Sequence, residues 1–69
     1  MRTAEARRLV GKDISWNDRR DVLTLVHPPL RRGTLREVQG KNAHIDVLGS
    51  LDWKWLPDML NVREVKAVP

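Results

Sequence analysis

The sequence predicts a mainly β fold in which about five short strands close into a small barrel. Three observations predict it. Short stretches of alternating apolar and polar residues recur along most of the chain. Glycine, proline and asparagine separate these stretches and indicate turns. Helical spacing is confined to a short segment at the start and to a single turn over 56–60. A chain of 69 residues suits a single domain, because folded domains usually contain ~50–200 residues.

Composition narrows the class of protein. The chain has 13 Lys and Arg, 9 Asp and Glu, a net charge of +4 and no cysteine. An apolar fraction of 41% is too high for a disordered tail. Without cysteine, a disulfide scaffold and a thiolate metal site are excluded. No apolar run approaches the ~18 residues of a membrane span, and the first residues lack the apolar stretch of a signal peptide. We expect a cytoplasmic protein.

The spacing predicts a short amphipathic helix over residues 3–10. Ala6, Leu9 and Val10 share one face of it, and Gly11 follows as a stop. A helix of this length is not stable alone in water. It is therefore expected to dock on the strands.

The pattern changes to β after residue 12. Ile14 and Trp16 alternate with polar neighbours and predict the first strand. Residues 17–32 are predicted as one long connection, with a short irregular strand at 22–26 as an option. Pro28-Pro29 would end that strand, since proline cannot continue a central strand.

The clearest element is a β-hairpin with arms at 33–39 and 43–48. The second arm alternates apolar and polar residues without interruption, and glycine and asparagine supply the turn. Leu35 and Val38 of the first arm are three apart rather than two. A β-bulge near Arg36-Glu37 would bring both to one face.

The last third predicts a strand at 52–56, a single helical or 3-10 turn over 56–60 and a closing strand at 62–65. Pro57 can begin the turn because it has no N–H to leave unpaired there. The chain as a whole, 1–69, is read as one domain, with the helix at 3–10 and the barrel at 12–65.

The order of strand, long loop, strand, tight hairpin, strand, 3-10 turn and strand resembles the SH3-like barrel. Within it, the hairpin at 33–46 (GTLREVQGKNAHID) resembles the KOW motif of ribosomal and transcription-elongation proteins. The alternative architecture is an open meander of three or four strands with the helix packed across it. The predicted core residues are Leu9, Val10, Ile14, Trp16, Leu25, Leu35, Val38, Ile45, Val47, Trp55, Leu56, Leu60 and Val62.

Catalysis is the poorest fit to this sequence. Ser15 and Ser50 lie in no nucleophile motif. His44 and Asp46 would share one strand face, but a satisfied surface pair explains them more simply than a catalytic dyad. The two histidines lack zinc-site spacing, and the glycines form no phosphate loop. We expect neither enzyme activity nor a metal or cofactor.

The positive charge predicts nucleic-acid binding as the first function. Residues 1–40 carry nine basic and five acidic side chains, while 41–69 are balanced. Arginine suits phosphate because its planar fork binds two oxygens at once. An Arg-rich face around residues 19–36 would follow the phosphates, and a similar hairpin occurs in KOW-type domains. The predicted contact residues are Arg7, Arg8, Arg19, Arg20, Arg31, Arg32, Arg36 and Lys41.

The alternative function is a protein-interaction, adaptor or assembly module. The chain has three tryptophans and no other aromatic ring except histidine. Trp53 and Trp55 fall on one face of a strand, which is either core or an exposed platform. An exposed pair would suit an interface, in a groove beside the long loop, with Pro28, Pro29 and Trp53 as contacts. An acidic protein partner or a homo-oligomer would fit this reading, and a membrane would not.

Overall fold

The computed structural model describes residues 1–66. In chain order the elements are helix α1 (Thr3–Arg8), strand β1 (Asp13–Asp18), helix α2 (Arg19–Thr24), strands β2 (Arg31–Gln39), β3 (Asn42–Val47) and β4 (Ser50–Trp55), a one-turn 3-10 helix (Leu56–Asp58) and strand β5 (Met59–Glu64). The strands form one antiparallel sheet in the order β4-β3-β2-β1-β5. The mainly β class, the five strands, the N-terminal helix and the 3-10 turn before the last strand are confirmed.

The sheet is not closed, which corrects the predicted barrel. Within residues 1–66, β4 pairs only with β3 and β5 only with β1. Closure would need a ladder between β4 and β5, but after the 3-10 turn β5 pairs with β1 instead. The sheet nevertheless curls: Lys54 of β4 and Trp16 of β1, three strands apart, line the same depression. The alternative prediction, an open meander, is correct in leaving the sheet open, but it has three or four strands where the structure has five.

The central hairpin has the predicted form. Leu35 faces Ile45 and the next pair is Glu37 with His44, so that Arg36 is the extra residue of a β-bulge. The turn contains Gly40 at φ +59°, a left-handed conformation that glycine adopts at little cost. The bulge is therefore confirmed at the predicted place.

The core lies between α1 and the concave face of the sheet. The prediction is confirmed for Ile14, Trp16, Leu35, Ile45 and Leu56, which are all buried. Partly buried apolar residues pack against this core from the helix, the strands and the N-terminus. They are Met1, Leu9, Val38, Val47 and Val62. Ala6, Ala43 and Met59 complete the buried cluster.

Three predicted core residues are exposed, and the reason differs in each case. Val10 follows the last turn of α1, which ends at Arg8, so it leaves the docked face. Leu25 follows α2 in the connection to β2. Trp55 lies on the outer face of the edge strand β4 and is 48% exposed. Leu60, also predicted as core, is half-buried.

Helix α2 replaces the irregular strand that the sequence allowed at 22–26. Asp18 caps the helix, its Oδ1 accepting a hydrogen bond from the Arg20 N–H at 2.9 Å. Asp21 in the first turn then pairs with Arg31 at the start of β2. Local capping thus outweighs the β propensity of Val22 and its neighbours. Among the described residues no helix is long and apolar enough to cross a membrane.

Candidate binding surface

The predicted basic residues lie on three elements and one turn of the molecule. All eight are exposed. Two lie on α1, which docks beside the β2–β3 turn through the Thr3 hydroxyl, whose Oγ1 donates to the Gly40 carbonyl oxygen at 3.3 Å. Two begin α2, which packs on β1, and three lie on β2. They are Arg7 and Arg8 on α1, Arg19 and Arg20 on α2, Arg31, Arg32 and Arg36 on β2, and Lys41 in the turn.

Two of the arginines are held by carboxylates. The Arg31 Nε and Nη2 donate to the two oxygens of Asp21 at 2.8 and 3.1 Å, a bidentate pair. The hydrogen bond from Arg31 holds the pKa of Asp21 below its usual value, and the same bond raises the pKa of Arg31. Arg36 Nη2 lies 3.2 Å from Asp46 Oδ2 on the exposed surface. Arg31 therefore anchors α2 to β2 and is less available to an anion.

A depression of about 370 Å³ lies between the start of β2 and the edge strand β4, and we call it the β2–β4 cleft. Its lining residues come from three strands and from the end of β3. They are Trp16, Arg31, Arg32, Val47, Ser50, Leu51, Asp52 and Lys54. Lys54 Nζ lies 3.5 Å from Asp52 Oδ2. Both signs of charge thus occur along the inner side of β4.

The outer face of β4 is apolar. Leu51, Trp53 and Trp55 alternate along the strand and are 55%, 46% and 48% exposed. The Trp53 ring stacks on His44 of β3, with ring centroids 4.4 Å apart and planes 6° from parallel. His44 and Trp53 are directly opposite in the ladder. The question that the sequence left open is settled, since both tryptophans of β4 are exposed.

The register also decides where the backbone groups of β4 point. The Leu56 N–H donates to the Lys41 carbonyl oxygen at 2.7 Å, and the next pair along the ladder is Asn42 with Trp55. In an antiparallel ladder this makes Asn42–Trp55 a pair that exchanges no hydrogen bonds of its own, and such pairs alternate with bonded ones. The N–H and C=O groups of Leu51, Trp53 and Trp55 therefore point away from β3, to the free edge.

This register explains the ring stack. Residues in a pair without mutual hydrogen bonds have their Cα atoms about 4.5 Å apart, closer than in a bonded pair. His44 and Trp53 form such a pair by the same alternation. Their side chains consequently lie near enough to stack, and the stack fixes the Trp53 ring on the outer face.

The predicted partner contacts are only partly brought together. Trp53 is on the outer face of β4, whereas Pro28 and Pro29 lie in the connection between α2 and β2, and neither proline lines the β2–β4 cleft. Sequence reasoning missed Leu51 as a surface residue and Lys54 as a cleft residue. The signal was available in the strict alternation of 50–55, polar on one side and apolar on the other.

The described residues offer little for metal binding. Among residues 1–66 no three His, Asp or Glu side chains are grouped closely enough to hold an ion. Comparison of the chain with protein-family models, curated proteins and solved structures gave no match.

Proposed function

We propose that this chain is a small non-enzymatic interaction module that binds protein through its edge strand β4. The observation that carries the proposal is the coincidence of three features on one strand. Leu51, Trp53 and Trp55 present exposed apolar side chains, their N–H and C=O groups point to the free edge, and within residues 1–66 β4 pairs with β3 alone. An edge of this kind is a template for another strand.

The distribution of exposed side chains favours protein over nucleic acid. Leu23, Val26 and Leu30 are 73%, 91% and 61% exposed in and after α2, in addition to the apolar row on β4. Aliphatic side chains contribute to protein interfaces but offer no ring for a base to stack on. The arginines lie on different elements, and Arg31 and Arg36 are paired with carboxylates. This proposal adopts the second of the two functions predicted from sequence.

Nucleic-acid binding stays a second candidate because of the His44–Trp53 stack. Exposed aromatic rings beside arginines suit single-stranded nucleic acid. Arg19 and Arg20 also line a shallow depression of about 290 Å³ with Leu23. If this candidate is right, the affinity for an oligonucleotide falls steeply as salt rises, because bound phosphates release counterions.

The relation to SH3-like barrels and to KOW-type domains is likewise a proposal. The order of strands, tight hairpin and 3-10 turn supports it, and the β-bulge at Arg36 agrees with the offset apolar positions of that motif. A cytoplasmic location stays a prediction from the sequence.

The test selects ligands without assuming a partner. Random decapeptides displayed on phage are selected on the immobilised protein, and the best binders are titrated while backbone amide signals are followed by NMR. We expect shifts concentrated in β3 and β4. Trp55→Ala should weaken binding at least about tenfold, because aromatic anchors dominate interfaces. Leu23→Ala, which trims an exposed apolar residue elsewhere, should not.

A parallel titration uses a single-stranded oligonucleotide at low and moderate salt. Salt-sensitive shifts clustered on 19–36, together with no peptide response on β4, would overturn the protein-binding proposal and promote the second candidate.

A further inference from the structure

We infer that the strand received by β4 is β4 of a second copy of this chain, so that the protein forms a two-fold symmetric dimer with one continuous sheet. The inference deepens the proposed function and rests on it, because it names the partner of the same edge. It follows from the outward backbone groups of β4 and from the order of its charged and apolar residues.

The outward groups limit the registers available to such a pair. Two antiparallel copies of β4 bond only if outward residues face outward residues, since a slip by one residue turns every side chain to the other face. With Trp53 opposite Trp53 of the second copy, Leu51 lies opposite Trp55. Each of these pairs can exchange two N–H to C=O hydrogen bonds.

Charge then selects this register from its neighbours. With the two Trp53 residues opposed, Asp52 of one copy faces Lys54 of the other, and the symmetry repeats the contact. A slip by two residues in one direction opposes Asp52 with Asp52, and in the other direction Lys54 with Lys54. Like charges directly opposite each other destabilise a sheet and unlike charges stabilise it. The sequence of β4 is thus complementary to itself in one register.

The apolar face agrees with the same register. The pairs Leu51–Trp55 and Trp53–Trp53 lie on the outer face, where each side chain is about half exposed in the single chain. Aromatic and aliphatic cross-strand pairs stabilise sheets, and His44 already holds the Trp53 ring in place. Dimer formation would therefore join two apolar rows into one strip.

The other free edge fits a partner less well. Strand β5 carries a register shift opposite β1 between Ser15 and Asn17, and Asn61 has a positive φ of 53°. A bulge of this kind interrupts regular pairing and is one way in which proteins protect an edge. Of the two edges, β4 is therefore the one that can receive a partner strand in regular pairing.

The decisive experiment exchanges the charges. Asp52→Lys places lysine opposite lysine in its own dimer, and Lys54→Asp places aspartate opposite aspartate. Each variant alone should be a monomer near the 8.0 kDa mass of the chain by light scattering coupled to size exclusion. An equimolar mixture should form a heterodimer of twice that mass, because every cross-strand charge pair is then opposite in sign. The unmodified chain should be a dimer.

A second pair of variants tests the backbone. Leu51→Pro removes an N–H from the free edge while leaving the ladder to β3 intact, and Leu51→Ala is its matched control for the lost side chain. Proline should raise the dimer dissociation constant at least about tenfold more than alanine, since each dimer loses two hydrogen bonds. Amide spectra of both variants check that the monomer is folded.

The outcomes separate the inference from the proposed function. A monomer at every concentration, or a dimer that ignores both the charge exchange and Leu51→Pro, overturns self-pairing through β4. If the unmodified chain is a monomer and selected peptides still shift the amide signals of β3 and β4, the proposed function stands and its partner is a different protein. If the chain is a monomer and the peptides shift no signals of β3 and β4, the proposed function fails together with the inference.

Discussion

Replacing Gly33 with alanine should destabilise the fold, because the strand has no room for a side chain at this position. A Cβ atom on Gly33 would lie 2.6 Å from Cγ2 of Ile45 and 2.9 Å from the backbone oxygen of Asp46. Val47 Cγ2 would be 3.2 Å away. Carbon atoms prefer a separation of about 3.5–4.0 Å. The first two contacts therefore force β2 and β3 apart, or drive Ile45 out of its buried position.

The expected cost follows from measured overpacking in other cores. Inserting one methylene into a tightly packed site typically costs ~1–3 kcal/mol. For a domain of this size, 1 kcal/mol lowers the melting temperature by about 4–8 °C. Gly33→Ala should therefore melt at least about 4 °C below the parent in differential scanning calorimetry. Urea unfolding should give a lower midpoint at an unchanged slope.

A double-mutant cycle identifies the contact responsible. Ile45→Ala removes the side-chain atom nearest to the new Cβ. Its cost should be smaller in the Gly33→Ala background than in the parent, with a coupling of at least about 0.5 kcal/mol. An alanine variant at Gly33 as stable as the parent would refute the reasoning, and so would strict additivity with Ile45→Ala.

Three further predictions concern the core, the ion pair and the helix cap. Leu35→Ala should cost about 2–5 kcal/mol in urea unfolding, because the side chain is fully buried between α1 and the sheet. Asp21 has its pKa lowered from 3.8 by Arg31, so its contribution to stability is complete above that value and is lost as the pH falls through the lowered pKa. The difference in free energy of unfolding between the parent and Asp21→Asn, measured by urea unfolding at a series of pH values, should thus shrink below about pH 4. A difference that does not change with pH would contradict the pairing. Asp18→Ala should cost about 1 kcal/mol by removing the cap of α2, whereas Asp18→Asn, which keeps an acceptor, should cost less.

The parts of the fold that the sequence predicts are those that local pattern determines. The hairpin follows from alternation in one arm, and the three-residue offset between Leu35 and Val38 is sufficient to locate the bulge. Helix α2 is missed because its second half, 22–24, belongs to the apolar run at 22–26, which has the composition of a strand. Its formation depends on the Asp18 cap and on the pairing of Asp21 with Arg31, ten residues along the chain. Propensity carries no information about the second of these contacts.

The surface is harder to predict because it depends on how distant segments meet. Alternation places Trp53 and Trp55 on one face, but the register with β3 decides that this face is outward, because it opposes the buried Ala43 and Ile45 with Lys54 and Asp52. The arginine doublets illustrate the same limit. Arg31 and Arg32 both line the β2–β4 cleft, and Arg31 is held by Asp21 of α2, a contact that its place in the sequence does not indicate. Clustering in the sequence therefore does not say which element each arginine meets.

The separation of the core from the β4 surface makes function testable apart from stability. The buried cluster lies on the concave side of the sheet, whereas Leu51, Trp53 and Trp55 contact water on the outer side. Truncating Trp55 should cost the single chain less than truncating Trp53, although both side chains are about half exposed. Trp53 differs, since its loss also removes the ring stack on His44, and such pairs contribute ~0.5–1.5 kcal/mol. Loss of binding in Trp55→Ala without loss of stability would therefore locate the interface on β4, and the His44 pair explains why Trp53 would be the less clear probe.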